Sequence, residues 1–278
     1  MAEQTALRRG DVAVVIPALN ESLRIRGVVE GALAQAASVI VVDDGSDDDT
    51  VERIADLPVR VLRHPRRMGK GAALRDGFAE AERLGVRAVV TMDGDGQHDA
   101  ADIARLIAAA NRHPGCVVIG ARLRKRASQP PHRRIGNDFG DWGISWACGF
   151  RVVDSQSGQR LYPREVFTLR DVAGEGFVFE AQMLISAARA GAGVVAVPIE
   201  TRYACAGEPL EYRKSHFRLF HDLWAIASHV VGQVLGHRNP IAEYARTRRT
   251  PPVIDDCGGE FVAVAASDDV HAGRGGQR

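Results

Sequence analysis

Residues Ala88–His98 read AVVTMDGDGQH, a short β-branched run that ends in two aspartates separated by a single glycine. The run predicts a strand over Ala88–Met92 buried on both faces, because it is apolar without the alternation of a half-exposed strand. The same design recurs outward in both directions. Val12–Ala18 (VAVVIPA), Val39–Val42 (VIVV), Val59–Leu62 (VRVL) and Val117–Gly120 (VVIG) are further strand candidates. Between them Ile25, Val29, Leu33 and Ala36, then Leu74, Phe78 and Ala81, then Ile103, Leu106, Ile107 and Ala110 carry the 3-and-4 spacing of one helix face. Strands alternating with amphipathic helices predict an α/β domain with a mostly parallel sheet and right-handed crossovers. Ligands of such sheets bind beyond the carboxyl ends of the strands, where the acidic and glycine-rich segments of this chain fall.

Past Arg122 the alternation breaks. Residues 122–134 (RLRKRASQPPHRR) read as a mobile basic loop. Ile135, Phe139, Trp142, Trp146 and Phe150 then form a bulky stripe at helical spacing. A helix over Phe179–Ala190, a strand over Val194–Ile199 and an amphipathic helix over 215–235 follow. From about Asn239 the chain turns to Pro, Gly, Asp and Arg with little periodicity. The expectation is a folded domain over 1–238 and a flexible tail over 239–278.

Composition narrows the class. The chain has 278 residues, 36 Lys+Arg against 35 Asp+Glu and 45% apolar residues, so it is globular, with enough chain for a sizeable core. A net charge of +1 argues against a nucleic-acid binder. Cysteines at 116, 148, 205 and 257 are too scattered for a CxxC site and suggest reduced thiols in a cytosolic setting. No uncharged apolar stretch of about 18 residues appears, so no bilayer span is expected. Charge is segregated, however, with carboxylates at 43–49 and 93–102 and basic residues at 122–134 and 246–249.

Asp93 and Asp95 at a strand end can hold a hard divalent cation together, and Gly94 lets phosphate oxygens approach. A calcium loop is ruled out because its sixth position is His98 rather than glycine. In Asp43-Asp44-Gly45-Ser46-Asp47-Asp48-Asp49-Thr50 a carboxylate can meet a base or ribose, or Ser46 or Asp47 can cap a following helix. Pro17 ends the first strand, where Asn20 or Glu21 can face a cleft. Gly69-Lys70-Gly71 lacks the spacing of a Walker loop, which disfavours a nucleoside triphosphatase.

In chain order, VVIPALNE, VVDDGSDDDT, RRMGKGAALRDGF, VTMDGDGQHD, VIGAR, DSQSGQR, GFVFEAQML and VPIETRY fall within residues 12–217. Together they resemble family 2 glycosyltransferases of the GT-A fold, and within them the dolichyl- or polyprenyl-phosphate sugar transferases. The resemblance implies that Pro17, Leu19, Glu21, Val42 and Asp44 line a nucleotide pocket, with Gly94 at the nucleotide sugar. It implies Asp93, Asp95 and Gln97 as ligands of Mg²⁺ or Mn²⁺ on the diphosphate, and Arg122 and Arg202 as basic residues around the phosphates. Guanidinium forks suit that task, since they bind phosphate bidentately and stabilise developing negative charge. Gln159 stands where the subgroup usually carries an aromatic residue, and Ala206-Gly207-Glu208 where it commonly has a lysine.

The implied reaction is an inverting displacement from a UDP- or GDP-sugar, with Asp95 and Arg202 in the catalytic machinery. Polyprenyl phosphate is the expected acceptor; it is anionic near neutral pH and needs no strong base. The alternative is a glycan or other hydroxyl acceptor, for which Glu180 or Asp154 would take the proton. A non-catalytic nucleotide-sugar-binding scaffold is the reading from another class. The expected location is cytoplasmic, peripheral on the inner membrane face or held by a separate membrane subunit. Phe217, Phe220, Trp224, Ala227, Val231 and Val234 form one candidate membrane surface. Phe139, Trp142 and Trp146 beside Arg133 and Arg134 form another. Either stripe could instead pack on the sheet or in a homodimer.

Overall fold

A computed structural model describes residues 5–123, 131–170, 172, 174, 176, 178–199, 228–236 and 240–256. Its centre is an eight-stranded sheet in the order β3-β2-β1-β4-β6-β5-β7-β8. The strands are β1 (Val12–Ala18), β2 (Ser38–Asp43), β3 (Arg60–Arg63), β4 (Ala88–Thr91), β5 (Val117–Ala121), β6 (Arg160–Pro163), β7 (Val194–Pro198) and β8 (Val253–Ile254). All pairings are parallel except those of β6, which runs antiparallel between β4 and β5. The helices are α1 (Ile25–Gln35), α2 (Lys70–Arg83), α3 (Asp102–Arg112), α4 (Pro131–Cys148), α5 (Arg164–Phe167), α6 (Val178–Arg189), α7 (228–235) and α8 (Pro240–Arg249).

Alternate residues of one strand serve opposite cores. Val12, Val14 and Ile16 pack with Ile25 and Val29 of α1 and Ile103 and Leu106 of α3. Ala13 and Val15 pack with Leu74 and Phe78 of α2, Ile144 of α4 and Phe179 of α6. This double burial is why the strands read as uninterrupted apolar runs. Helix α2 comes so close to β1 that a Cβ at Gly77 would meet Val15 Cγ1 at 2.4 Å. That contact holds the start of α2, and with it Lys70, at the carboxyl edge of the sheet.

Two expectations are corrected. The basic stretch 122–134 is not a loop to its end, because α4 begins at Pro131, where proline's fixed φ and missing N–H suit the first helical turn; residues 124–130 lie outside the described residues. The expected flexible tail contributes α8 and β8. Val253 and Ile254 pair with Val195 and Ala196, and Asp255 N–H continues the ladder to the Ala196 carbonyl at 2.8 Å. The Asp255 carboxylate, 8% exposed, accepts two hydrogen bonds from the Arg112 guanidinium at 2.8 and 2.9 Å. Two strand residues are too few to show a period, which hid them in the sequence. Asp255→Ala should cost about 1–2 kcal/mol, read as a lower denaturation midpoint at unchanged urea dependence.

Of the expected helix over 215–235, only 228–235 is described. No helix among the described residues is long and apolar enough to cross a membrane.

Candidate active site

The carboxyl ends of β1, β2, β4 and β5 deliver residues 18–22, 43–50, 92–99 and 122–123 to one edge of the sheet, and the loop entering antiparallel β6 arrives at the same edge. Asp93 is the hub. Its Oδ1 lies 2.7 Å from the Lys70 ammonium, which also reaches Glu180 Oε2 at 3.0 Å. His98 Nε2 stands 3.8 Å from Asp93 Oδ2. Burial opposes ionisation of Asp93, yet the charges of Lys70 and His98 hold its carboxyl below the usual range. The Lys70 ammonium is raised although burial opposes its charge, because Asp93 and Glu180 flank it.

Asp95 has the opposite balance. Burial and the Asp93 charge raise its carboxyl, and the hydrogen bond it accepts, from Gln97 N–H at 3.0 Å, offsets this only in part. Glu21 is pushed up to about 7, by burial first and then by Asp95, with Arg24 opposing. Three acidic groups therefore share one field. A divalent cation relieves such repulsion, and the residues fit one. Among the described residues no cluster of three or more His, Cys, Asp or Glu forms an all-protein cage. Magnesium-type ions instead take one or two carboxylates and complete their shell with substrate phosphates and water. Asp93 and Asp95 are such a pair, and the exposed Gln97 side chain lies two residues on.

The expected nucleotide-lining residues converge in part. Pro17 and Val42 are register partners in β1 and β2, and a Cβ at Gly94 would meet the Pro17 carbonyl at 3.3 Å. Leu19 and Glu21 follow β1, with Glu21 N–H bonded to Thr50 Oγ1 at 2.8 Å. Asp44 is less available than expected. Its Oδ1 is bonded to His64 Nδ1 and Met68 N–H, both at 2.7 Å, and its Oδ2 accepts from Gly69 N–H at 2.8 Å. Asp44 thus fastens the loop that presents Lys70. Ser46 and Asp47 cap no helix; Ser46 Oγ accepts from Asn20 N–H at 2.9 Å, and Asp47 N–H donates to Asn20 Oδ1 at 3.1 Å. A cleft beside them is lined by Gly45, Ser46, Arg63, His64 and Pro65.

Arg122 leaves β5 and is gripped by Asp154, whose Oδ2 accepts from Arg122 N–H at 2.7 Å and Nε at 2.9 Å, and whose Oδ1 accepts from Nη2 at 2.5 Å. Asp154, expected as a candidate proton acceptor, therefore has both oxygens engaged. Burial opposes its charge, but Arg122 keeps its carboxyl below the usual range. Glu180, the other candidate base, is paired with Lys70 and keeps a buried Oε1 with no hydrogen-bond partner. Arg202 lies outside the described residues, as does the 206–208 segment. Gln159 is fully buried and donates to the Asp99 carbonyl at 3.0 Å, so this departure from the subgroup sits in the packing between β6 and the Asp93 loop.

Sequence reading missed Lys70, which it weighed only as a failed Walker lysine, and Arg160, whose fully buried guanidinium donates to the Ser155, Ser157 and Glu180 carbonyls. The signal for Lys70 was its place at the start of a helix beginning at the carboxyl edge. Gly158 is another positioning element, since a Cβ there would fall 2.2 Å from Asp93 Oδ2. Gly158→Ala should displace the Asp93 carboxylate and lower turnover by about 100-fold; turnover within twofold of the unmodified protein would contradict the assigned geometry.

The chain matches the Glycosyl transferase family 2 profile over residues 13–167. It is 28% identical over 219 residues to the UDP-N-acetylglucosamine–dolichyl-phosphate N-acetylglucosaminyltransferase of Methanococcus voltae, covering 69% of this chain and 86% of that protein. It is 30% identical over 210 residues to the undecaprenyl-phosphate mannosyltransferase of Micrococcus luteus, covering 68% and 82%. In fold it is similar to glucosyl-3-phosphoglycerate synthase from Mycobacterium tuberculosis, solved with Mn²⁺, UDP and phosphoglyceric acid, with a TM-score of 0.55 and 23% identity over 81% of this chain and 78% of that one.

Proposed function

The chain belongs to glycosyl transferase family 2, and on that footing we propose that it is a metal-dependent, inverting transferase that moves a sugar from a UDP- or GDP-sugar to polyprenyl phosphate. The observation that carries this reading is the Asp93–Asp95 pair at the end of β4, beside the buried Lys70 and the Asp154-held Arg122. Relatives named for undecaprenyl- and dolichyl-phosphate acceptors support the lipid phosphate.

Asp93 and Asp95 would hold Mg²⁺ or Mn²⁺, with Gln97 as a further oxygen donor. Once bound, such an ion neutralises charge building on the departing diphosphate. Pro17, Leu19 and Glu21 form the wall for the nucleoside, while Val42, fully buried in the core, and the buried Gly94 lie behind it. Lys70 orders Asp93 and Glu180 and supplies fixed positive charge at the same place, without reorganisation during reaction. Glu180 Oε1 is buried 3.9 Å from Arg160 Nη2, so the carboxylate lies between Lys70 and Arg160. Arg122, and by resemblance Arg202, bind phosphate. The acceptor's oxygen attacks the anomeric carbon opposite the leaving diphosphate. Since Asp154 and Glu180 are both engaged in ion pairs, an acceptor that brings its own negative charge suits the site better than a hydroxyl that must lose a proton.

A lipid acceptor requires contact with a bilayer surface. The ring cluster of Phe139, Trp142, Trp146 and Tyr244 on α4 and α8 is suited to it, with Phe139 62% and Trp142 43% exposed.

The test is a panel of radiolabelled UDP- and GDP-sugars incubated with the protein, polyprenyl phosphate and Mg²⁺ or Mn²⁺. Chelator-sensitive label in the organic phase is the expected result. Label only in a water-soluble product would replace the acceptor assignment by a hydroxyl acceptor. Nucleotide binding without transfer to any acceptor would instead leave a non-catalytic sugar-nucleotide protein.

A further inference from the structure

Helix α4 carries a carboxylate with no part in the chemistry proposed above. Asp141 accepts hydrogen bonds from Asp154 N–H at 2.9 Å on Oδ2, and from Ser155 N–H at 2.8 Å and Ser155 Oγ–H at 2.6 Å on Oδ1. Burial pushes its carboxyl up to about 6 against these bonds. What they secure is a left-handed turn: Asp154 has φ +51°, a region that favours glycine and that aspartate tolerates better than most residues with a side chain. From that turn the Asp154 side chain reaches back to Arg122 through its backbone N–H, Nε and Nη2. Asp141 therefore bonds the backbone of the residue whose carboxylate grips Arg122. The helix is pressed on the same loop next door, where a Cβ at Gly140 would come within 2.7 Å of Gln156 Nε2. Arg160 pins the loop's other side through the Ser155 and Ser157 carbonyls.

We propose that Asp141 is the positioning residue for Arg122: through the left-handed turn at Asp154 it aims the guanidinium at a substrate phosphate. This rests on the reading of Arg122 as a phosphate ligand. The phosphate belongs either to the sugar nucleotide or to the polyprenyl acceptor, and kinetics separate the two.

The test uses the full chain with Asp141→Ala, Asp141→Asn, Arg122→Ala and the Asp141→Ala/Arg122→Ala double variant, assayed with the active sugar nucleotide, polyprenyl phosphate and Mg²⁺. Asp141→Ala should lower kcat/KM about 10- to 100-fold. The double variant should be no worse than Arg122→Ala by more than about twofold, because residues acting as one unit are not additive. The same KM should rise in both single variants: a rise for the acceptor locates the phosphate on the lipid, a rise for the donor locates it on the nucleotide. Effects that multiply, or KM changes on different substrates, would overturn the proposal.

Asp141→Asn guards against a mere folding defect. Its carbonyl oxygen still accepts from Ser155, while its amide NH₂ faces the Asp154 N–H, so the helix anchor persists and the turn loosens. Amide hydrogen exchange then reads the aim without any substrate. In Asp141→Asn the Arg122 amide, bonded to Asp154, should exchange at least about tenfold faster while α4 keeps its protection. An unchanged Arg122 amide refutes the positioning role even if transfer proceeds as proposed. Accelerated exchange in a protein that transfers no sugar would instead isolate the failure in the functional reading.

Discussion

Asp95→Ala should abolish sugar transfer while leaving the melting temperature unchanged or slightly higher. The two halves of this expectation have separate origins. Asp95 is half-buried, is raised by burial and by the neighbouring Asp93 charge, and accepts a hydrogen bond from Gln97 N–H two residues away. Removing it relieves repulsion with Asp93 and Glu21, so the folded state loses little. Transfer, in contrast, loses one of two carboxylates offered to the cation. A cation held there, as proposed, would stabilise the leaving diphosphate by several kcal/mol, so a fall of about 10³-fold or more in kcat is expected. Scanning calorimetry, Mn²⁺ titration in the presence of UDP or GDP, and product formation measure the three quantities. Activity near that of the unmodified protein would remove Asp95 from the metal site. Asp93→Ala is expected to behave differently, since it also strips the buried Lys70 of a partner 2.7 Å away and should lower stability as well as activity.

Arg160→Met should be the most destabilising single change in the site region, at about 3–5 kcal/mol. The guanidinium is fully buried and donates to the Ser157 carbonyl at 2.7 Å, the Ser155 carbonyl at 2.6 Å, the Glu180 carbonyl at 2.9 Å and the Tyr162 hydroxyl at 3.2 Å. Methionine fills much of the volume but leaves these acceptors buried without donors, and it leaves the Glu180 carboxylate with less opposing charge. Lysine should not rescue, because a single ammonium cannot reproduce a planar fork that reaches carbonyls on both sides. In a chain of this size the loss corresponds to a melting temperature lower by about 6–20 °C. Loop 154–158 should loosen with it, so turnover should fall before the protein unfolds. A stability loss under about 1 kcal/mol would show that the network contributes little.

The strands β1 to β5 were legible to within a residue or two. Strands β1, β2, β4 and β5 are buried along nearly their whole length and must be apolar at nearly every position, whereas edge strand β3 exposes Arg60 and Arg63 and showed only through Val61 and Leu62. Strand β6 was not legible. It opens on a charged residue, Arg160, and is short; that guanidinium is buried because the chain folds the Ser155 and Ser157 carbonyls back onto it and α6 brings the Glu180 carbonyl, an arrangement that no residue pattern displays. Helix α8 and strand β8 were missed for a related reason: a two-residue strand owes its existence to the free edge of β7. The acidic segments at the ends of β2 and β4 were visible because strand-end turns leave compact local motifs, whereas Arg122 was named only through the family resemblance. Lys70 and Asp141 were not found, because what gives them a role is a partner far along the chain, Glu180 for one and the 154–155 turn for the other.

By itself the sequence determined the layered α/β plan and the acidic pair at the end of β4, because strand burial and strand-end turns are written in residues a few positions apart. Tertiary structure alone decided which charges meet. It set Lys70 between Asp93 and Glu180, closed Asp154 on Arg122, and turned Asp44 from an open ligand toward a fastener of the Lys70 loop. Charge pairing depends on distances of a few ångströms between segments that the chain brings together only when the sheet has formed, and no spacing along the sequence records them.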